Sequence, residues 1–339
     1  MRQPRRLIAA FGAAVALLLP VAACGGSSSD SGSGDGATEV TFGYIADFSG
    51  VASLAAADKL GLWDKQGLKP SLKAFTNGPL QIQALGAGDL DFGYIGSGAT
   101  WLPASGKAKI IAVNMLGQAD RVITRPGSGI TKIADLKGKK VGVPEGTSGD
   151  MIFQLALKEN GLAPADVQKV TMDPSTVVTA FSSGQVDAAA IWYPLIDTIK
   201  KNVPDLVELT KSEDFYPKLS FPSSFVARNE LVKDHPETVT KVLKVLQEAN
   251  DWVAANTAEA EQLSATFLKA PAEQFKGASS VTKILPSAEL AKLSADGTVA
   301  GWYKGLADIF VTMGKITDSP DPATYYTADL YQAAAGGAK

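Results

Sequence analysis

Lys140-Val141-Gly142-Val143-Pro144-Glu145-Gly146-Thr147-Ser148-Gly149 repeats the pattern of Thr41-Phe42-Gly43-Tyr44-Ile45-Ala46-Asp47-Phe48-Ser49-Gly50, about one hundred residues earlier. In both, a short apolar run with Gly at its third place enters a loop that ends Ser-Gly. Two further matches follow in the same order. Ala74-Phe75-Thr76-Asn77-Gly78-Pro79 lies on Val170-Thr171-Met172-Asp173-Pro174-Ser175, and Gly88-Asp89-Leu90-Asp91 with Tyr94-Ile95 lies on Gly184-Gln185-Val186-Asp187 with Ala190-Ile191. Three ordered matches at one period predict two lobes of similar topology.

Outward from these stretches, short apolar runs alternate with helical ones. Strands are expected at 40–45, 69–75, 92–95, 110–114, 121–124, 140–143, 168–172, 188–192 and 224–227. Helices are expected between them at about 51–60, 80–87, 98–105, 148–159, 175–182 and 195–202. The order argues for an α/β fold with largely parallel sheets. Beyond Pro236 the chain turns helical, to about Asn256, with later helices at about 272–276, 288–293 and 298–313. In an open parallel sheet, ligands bind beyond the carboxyl ends of the strands. Each repeat would therefore supply three loops to one wall of a shared cleft.

The N-terminus has another character. Arg2, Arg5 and Arg6 precede an apolar run from Leu7 to about Leu19, followed by Val21-Ala22-Ala23-Cys24. A basic head, a short apolar core and small residues before a cleavage point make a secretory signal over 1–23. The run is shorter than the roughly 20 residues that span a bilayer. Its end resembles the lipobox of bacterial lipoproteins, which implies lipidation at Cys24, the sole cysteine. Residues 24–38 are rich in Gly, Ser and Asp and read as a flexible tether. These features place the protein, exported and anchored, on the outer face of the cytoplasmic membrane.

The remaining ~300 residues make one large domain or two ordinary ones. The full chain has formal charge -3; without Arg2, Arg5 and Arg6, 29 of its 32 basic residues face 35 acidic ones. That balance does not favour nucleic acid, which wants a basic face.

Several strings resemble the periplasmic solute-binding proteins for taurine, alkanesulfonates and nitrate, within a wider group that includes pyrimidine-precursor binders. They are Asn77-Gly78-Pro79 with Gln83-Ala84-Leu85, Gly88-Asp89-Leu90-Asp91, the run from Ile133 to Pro144 (IADLKGKKVGVP), Gly184-Gln185-Val186-Asp187 with Ile191-Trp192, and Phe225-Val226-Ala227-Arg228. The resemblance runs from about Val40 to the C-terminus. It implies the type II periplasmic-binding fold: a first lobe of 39–118 plus 224–335, a second of 123–221, and a hinge near 119–123 and 217–224. It also implies a monomer that gives a small-molecule ligand to an ABC permease with a cytoplasmic ATPase. Closure about a hinge would enclose the ligand.

The candidate ligand contacts follow from the loops. Ser49-Gly50, Asn77-Gly78, Ser97-Gly98 and Thr147-Ser148-Gly149 stand at expected helix starts. Such residues serve as ordinary caps, and helix starts with free N–H groups also hold anions. Trp192 and Tyr193 stand where the first repeat has Gly96 and Ser97; they either pack the core, cover a ligand's apolar body or contact a cation. Asp47 and Glu145 lie on cleft-side loops and could hold an amine. Arg121, near the first crossing, is either an anion partner or a surface charge at the hinge. Trp101 packs the lobe or floors the cleft. Asp91 and Asp187 precede their strands at the far edge, where a turn or capping role is expected, and His235 reads as a solvated helix start.

No catalytic set emerges. One His and one Cys provide no Ser-His-Asp or Cys-His arrangement and no metal cluster, so neither enzyme, cofactor nor metal is expected. Relatives of this fold that make thiamine pyrimidine use a cysteine-rich motif and a histidine, and neither is present here. The first expected ligand is taurine or another alkanesulfonate. A pyrimidine or aromatic compound is the alternative and nitrate the third. A ligand-sensing surface lipoprotein would look the same.

Overall fold

A computed structural model describes residues 36–216 and 218–336. The signal, Cys24 and most of the tether lie outside the described residues.

Among the described residues, eleven strands form two sheets. They are β1 (Thr38–Ile45), β2 (Leu68–Phe75), β3 (Phe92–Ile95), β4 (Lys109–Gly117), β5 (Asp120–Thr124), β6 (Lys140–Val143), β7 (Gln168–Thr171), β8 (Ala188–Trp192), β9 (Val207–Lys211), β10 (Pro222–Ala227) and β11 (Thr282–Lys283). The first sheet runs β11-β4-β10-β3-β1-β2 and the second β7-β6-β8-β5-β9. β2-β1-β3 and β7-β6-β8 are parallel sets in the same order. The internal repeat is thus a repeat of topology.

The sheets are not wholly parallel. β10 runs against β3 and β4, β11 against β4, and β5 against β8 and β9. The reason lies in connectivity. β5 enters its sheet directly from β4 of the other, and β10 returns from β9, so each is inserted without a helical crossover to reverse it. Both insertions therefore begin at the edge where the parallel strands end.

Each repeat unit is built the same way locally. The helix Gly78–Ala87 ends at Gly88 (φ 80°) and the helix Pro174–Ser183 at Gly184 (φ 78°). Both glycines take the left-handed cap that a Cβ disfavours. Three residues on, Asp91 accepts the Thr41 N–H and hydroxyl, each at 2.9 Å, and Asp187 accepts the Lys140 N–H at 2.8 Å. These carboxylates tie the starts of β1 and β6. They are structural, as expected. His235 stands at the exposed start of the helix Pro236–Ala255 and makes no side-chain capping bond there.

The helix Phe48–Lys59 is buried on nearly every side, lying between the first sheet and the helices Pro236–Ala255 and Thr257–Phe267. An apolar helix of this kind is a core element. Phe42 anchors the first core, stacked on Phe92 and edge-on to Phe225, each at 5.8 Å between ring centres; such pairs contribute ~0.5–1.5 kcal/mol beyond burial. Val122, Val141, Ile152 and Phe153 form the core on one side of the second sheet, and Ile123, Phe181, Ile191 and Ile196 that on the other.

The helix Thr298–Thr312 joins the two halves. Val299 and Tyr303 sit in the first core, while Leu306 and Phe310 sit in a core of the second sheet. The C-terminal part therefore packs on both sheets.

Candidate functional site

A cavity of about 480 Å³ lies between the sheets, at the strand edges described above. From the first repeat come Asp47, Phe48 and Ser49 after β1, Asn77-Gly78-Pro79 after β2, and Gly96-Ser97 after β3. The second repeat provides Thr147-Ser148 after β6 and Trp192-Tyr193-Pro194 at the end of β8. Gly117, Ala119, Asp120 and Arg121 line it from the first crossing, Phe221 and Ser223 from the return, and Gln274–Ala278 with Ser280 and Val281 from the C-terminal part.

Three expected contacts stay outside. Gly50, Gly98 and Gly149 do not line the cavity, because each is pressed against backbone. A Cβ would lie 2.2 Å from the Ile45 carbonyl oxygen at Gly50, 2.1 Å from the Thr147 carbonyl at Gly98, and 2.9 Å from the Ala190 carbonyl oxygen at Gly149. The Gly98 contact joins a loop of the first sheet to the helix start of the second.

Two more are engaged elsewhere. Glu145 is exposed and bonds Lys315 at 2.8 Å; together with Lys169, that ammonium holds its carboxyl below the usual range. The Trp101 ring lies under Lys315 at 5.9 Å and beside Gly146. Neither reaches the cavity.

Arg121 does line it, yet its guanidinium is taken. Nε bonds Glu208 at 2.9 Å, Nη1 bonds Glu213 at 3.0 Å and the Gln118 and Asp120 carbonyls, and Nη2 bonds Glu213. Arg121 is 5% exposed, so it is not the surface charge expected, and its guanidinium is satisfied by groups of the protein itself.

The helix starts are partly self-satisfied. Asn77 Oδ1 accepts the Leu80 N–H at 3.0 Å, and Asp47 Oδ1 accepts that of Gly50 at 2.7 Å. The Thr147 hydroxyl turns away from its helix to the Pro144 carbonyl at 2.6 Å, and Asp150 accepts the Gly146 N–H instead. Asn114, on β4, donates to the Ser49 carbonyl at 2.7 Å and fixes that loop. Tyr193 is half-buried, its hydroxyl bonded to Glu208 and Lys200, and Trp192 is buried at the wall.

Sequence reasoning missed Asp120, the first residue of β5. It is 5% exposed, and its Oδ1 has no hydrogen-bond partner. Burial pushes its carboxyl up to about 6, against the Ser148 hydroxyl and the Arg121 charge. Asp47 is 9% exposed; burial pushes it up to about 7, against the Gly50 bond, and the Asp120 charge adds to the rise. Tyr94, Phe221 and Phe275 were also missed. They belong to core clusters and show one edge to the cavity. No sequence signal marks which core aromatic has such an edge.

Among known proteins, the model of the family described as NMT1/THI5 like matches residues 49–260. The chain belongs to that family. A relative from Brucella abortus (strain 2308), named "Putative binding protein", is 54% identical over 87% of this chain and 92% of its own length. The taurine-binding periplasmic protein of Escherichia coli (strain K12) is 28% identical over 60% of this chain and 63% of its own. Among solved structures, the alkanesulfonate-binding protein SsuA of Xanthomonas axonopodis pv. citri, bound to MOPS, superposes with a TM-score of 0.69 at 21% identity. It covers 86% of this chain and 99% of its own. The fold is that of the periplasmic binding proteins, as the family resemblance implied.

Proposed function

We propose that the chain is the exported solute-binding component of an ABC importer. It takes a small organic molecule between its two sheets and presents the closed form to a permease with a cytoplasmic ATPase. The observation that carries this reading is the cavity itself, walled by loops of both repeats and by both crossings between the sheets. The family membership and the binding proteins among its relatives support it. In this reading Ser49, Asn77, Gly78, Ser97, Thr147, Ser148, Trp192, Tyr193 and Asp47 meet the solute. The lobes are 39–118 plus 224–335 and 123–221, with the helix Thr298–Thr312 shared between their cores. The hinge lies at 119–123 and 217–224, and a lipid on Cys24 holds the monomer at the outer face of the cytoplasmic membrane.

The walls favour an aromatic or pyrimidine-type body over a bare anion such as nitrate. Phe48, Trp192, Tyr193 and Phe221 give apolar cover. Taurine is the second reading, favoured by its named relative and by the helix starts at Asn77 and Thr147. Binding followed by intrinsic fluorescence tests the reading. Solutes from both classes are titrated into the full chain and into Trp192→Phe. A saturable change in the full chain that the variant loses is the expected result; a change the variant keeps would move the solute out of this cavity.

A further inference from the structure

Asp47 and Asp120 are the two buried acids of the cavity lining, and the solute-binding reading gives the pair no charge partner. Asp47 follows β1 in the first sheet; Asp120 opens β5 in the second. We infer that Asp47 and Asp120 together receive a basic nitrogen, so that the solute is an organic cation (an amine or amidine) whose apolar body lies against Trp192 and Phe48.

This deepens the proposed function and rests on it. The argument starts from cost. A carboxylate removed from water without a partner is strongly unfavourable, and two such groups within range of each other are worse. Proteins keep buried carboxylates where a cation or hydrogen bonds offset the cost. Here Asp47 has the Gly50 N–H on Oδ1, while Asp120 Oδ1 has no partner. The two side chains are more than nine-tenths buried.

Among the described residues, no cation at the lining is free to bond the pair: the Arg121 charge acts on Asp120, but its hydrogen bonds go elsewhere. Arg121 is held by Glu208 and Glu213. Lys276, at the cavity lining, is exposed and lies 3.6 Å from Glu273. The other titratable groups at the lining are acidic or phenolic: Asp197, Glu208, Tyr94 and Tyr193. An anionic head group placed between Asp47 and Asp120 would add a third negative charge. A nitrogen with two or more N–H donors would satisfy Asp120 Oδ1 and the open side of Asp47 at once.

The raised acids support the same assignment. With Asp47 at about 7 and Asp120 at about 6, the empty pair carries partial charge near neutrality. A bound cation favours the ionised forms, so binding near pH 6 should release protons and affinity should fall with acidification.

The test uses head groups on matched bodies. Benzylamine, benzamidine and 4-aminopyrimidine are compared with benzyl alcohol and phenylmethanesulfonate by titration calorimetry on the full chain. Measurements are made at pH 6 and pH 8, in buffers of different ionisation heat. The expected result is binding of at least one nitrogen base in preference to the alcohol and sulfonate, with proton release at pH 6. Asp120→Asn should weaken it roughly tenfold or more. Asp47→Asn, which keeps a good helix cap, should do the same, and both variants should retain the wild-type melting transition or exceed it. Preference for the sulfonate or alcohol, abolished by Trp192→Ala, would overturn the inference and leave the solute-binding reading standing. Base binding unchanged in both Asn variants would also overturn it. Absence of binding by every compound would retire both readings.

Discussion

Asp120 stands directly opposite Trp192 in the antiparallel register of β5 and β8. Residue pairs of this kind are the closest neighbours two strands offer. The pairing sets a buried carboxylate and a buried indole side by side at the one edge of the second sheet that faces the first. Polar and apolar recognition therefore share a single point of the fold, and changes at either residue should be read out at the same solute.

Trp192→Ala should weaken solute binding by roughly tenfold or more, since buried aromatic anchors dominate small interfaces. The folded state should lose about 3–5 kcal/mol, because Trp192 is buried in a core cluster of the second sheet. Parallel titration and denaturant unfolding separate the two effects. Equal affinity in the variant would remove Trp192 from the site.

Gly98→Ala tests closure. The added methyl would meet the Thr147 carbonyl at 2.1 Å, a backbone contact that no rotamer relieves. The two sheets would be held apart at that loop. Small-angle scattering of the variant should give a larger radius of gyration than wild type with saturating solute, and affinity should fall. An unchanged radius would mean that this contact does not govern closure.

Stability should depend on pH through the cavity acids. Asp47 rises from 3.8 to about 7 on folding and Asp120 from 3.8 to about 6. Between those values the folded chain binds more protons than the unfolded one, so these groups lower stability as pH rises from about 4 to about 7. Without solute, Asp120→Asn should therefore be more stable than wild type at pH 8, by about 1–3 kcal/mol, and the difference should shrink towards pH 4. Melting curves across this range check the sign.

Asp91→Ala is the contrasting change. Burial alone would raise this carboxyl, but bonds from Thr41 and Arg228 hold it below its ordinary value. Its contribution is thus present at neutral pH and lost as pH falls through its folded value. The variant should lose about 1–3 kcal/mol at pH 7 and keep solute affinity, since Asp91 lies at the edge away from the cavity. A loss of affinity at equal folded fraction would contradict the structural role.

Much of this architecture was legible in the sequence because the repeat preserves turn chemistry. Gly88 and Gly184, Asp91 and Asp187, and the loops ending Ser49-Gly50 and Ser148-Gly149 each do the same job twice. What stayed hidden depends on partners far along the chain. Glu145, on a loop, and Trp101, at the start of a short helix, both look cleft-bound, but Lys315, 170 residues from Glu145, engages them elsewhere. Gly98 reads as room for a ligand until the Thr147 backbone is seen against it. Asp120 belongs to an inserted antiparallel strand that none of the three repeat matches covers, so nothing local marked it as cavity-facing. The edge strand β9 escaped because its exposed, mixed residues, Val207-Glu208-Leu209-Thr210-Lys211, carry little apolar alternation. β11 is only two residues long.

The most direct measurement is thermal unfolding of the full chain against organic bases, sulfonates, nitrate and pyrimidines, with Trp192→Ala alongside. A solute that binds only the folded state should add ~2.7 kcal/mol at a hundredfold excess over its dissociation constant. The account predicts that rise for at least one small organic solute and its loss in the variant. A chain that no solute stabilises, or one stabilised equally with and without Trp192, would contradict it.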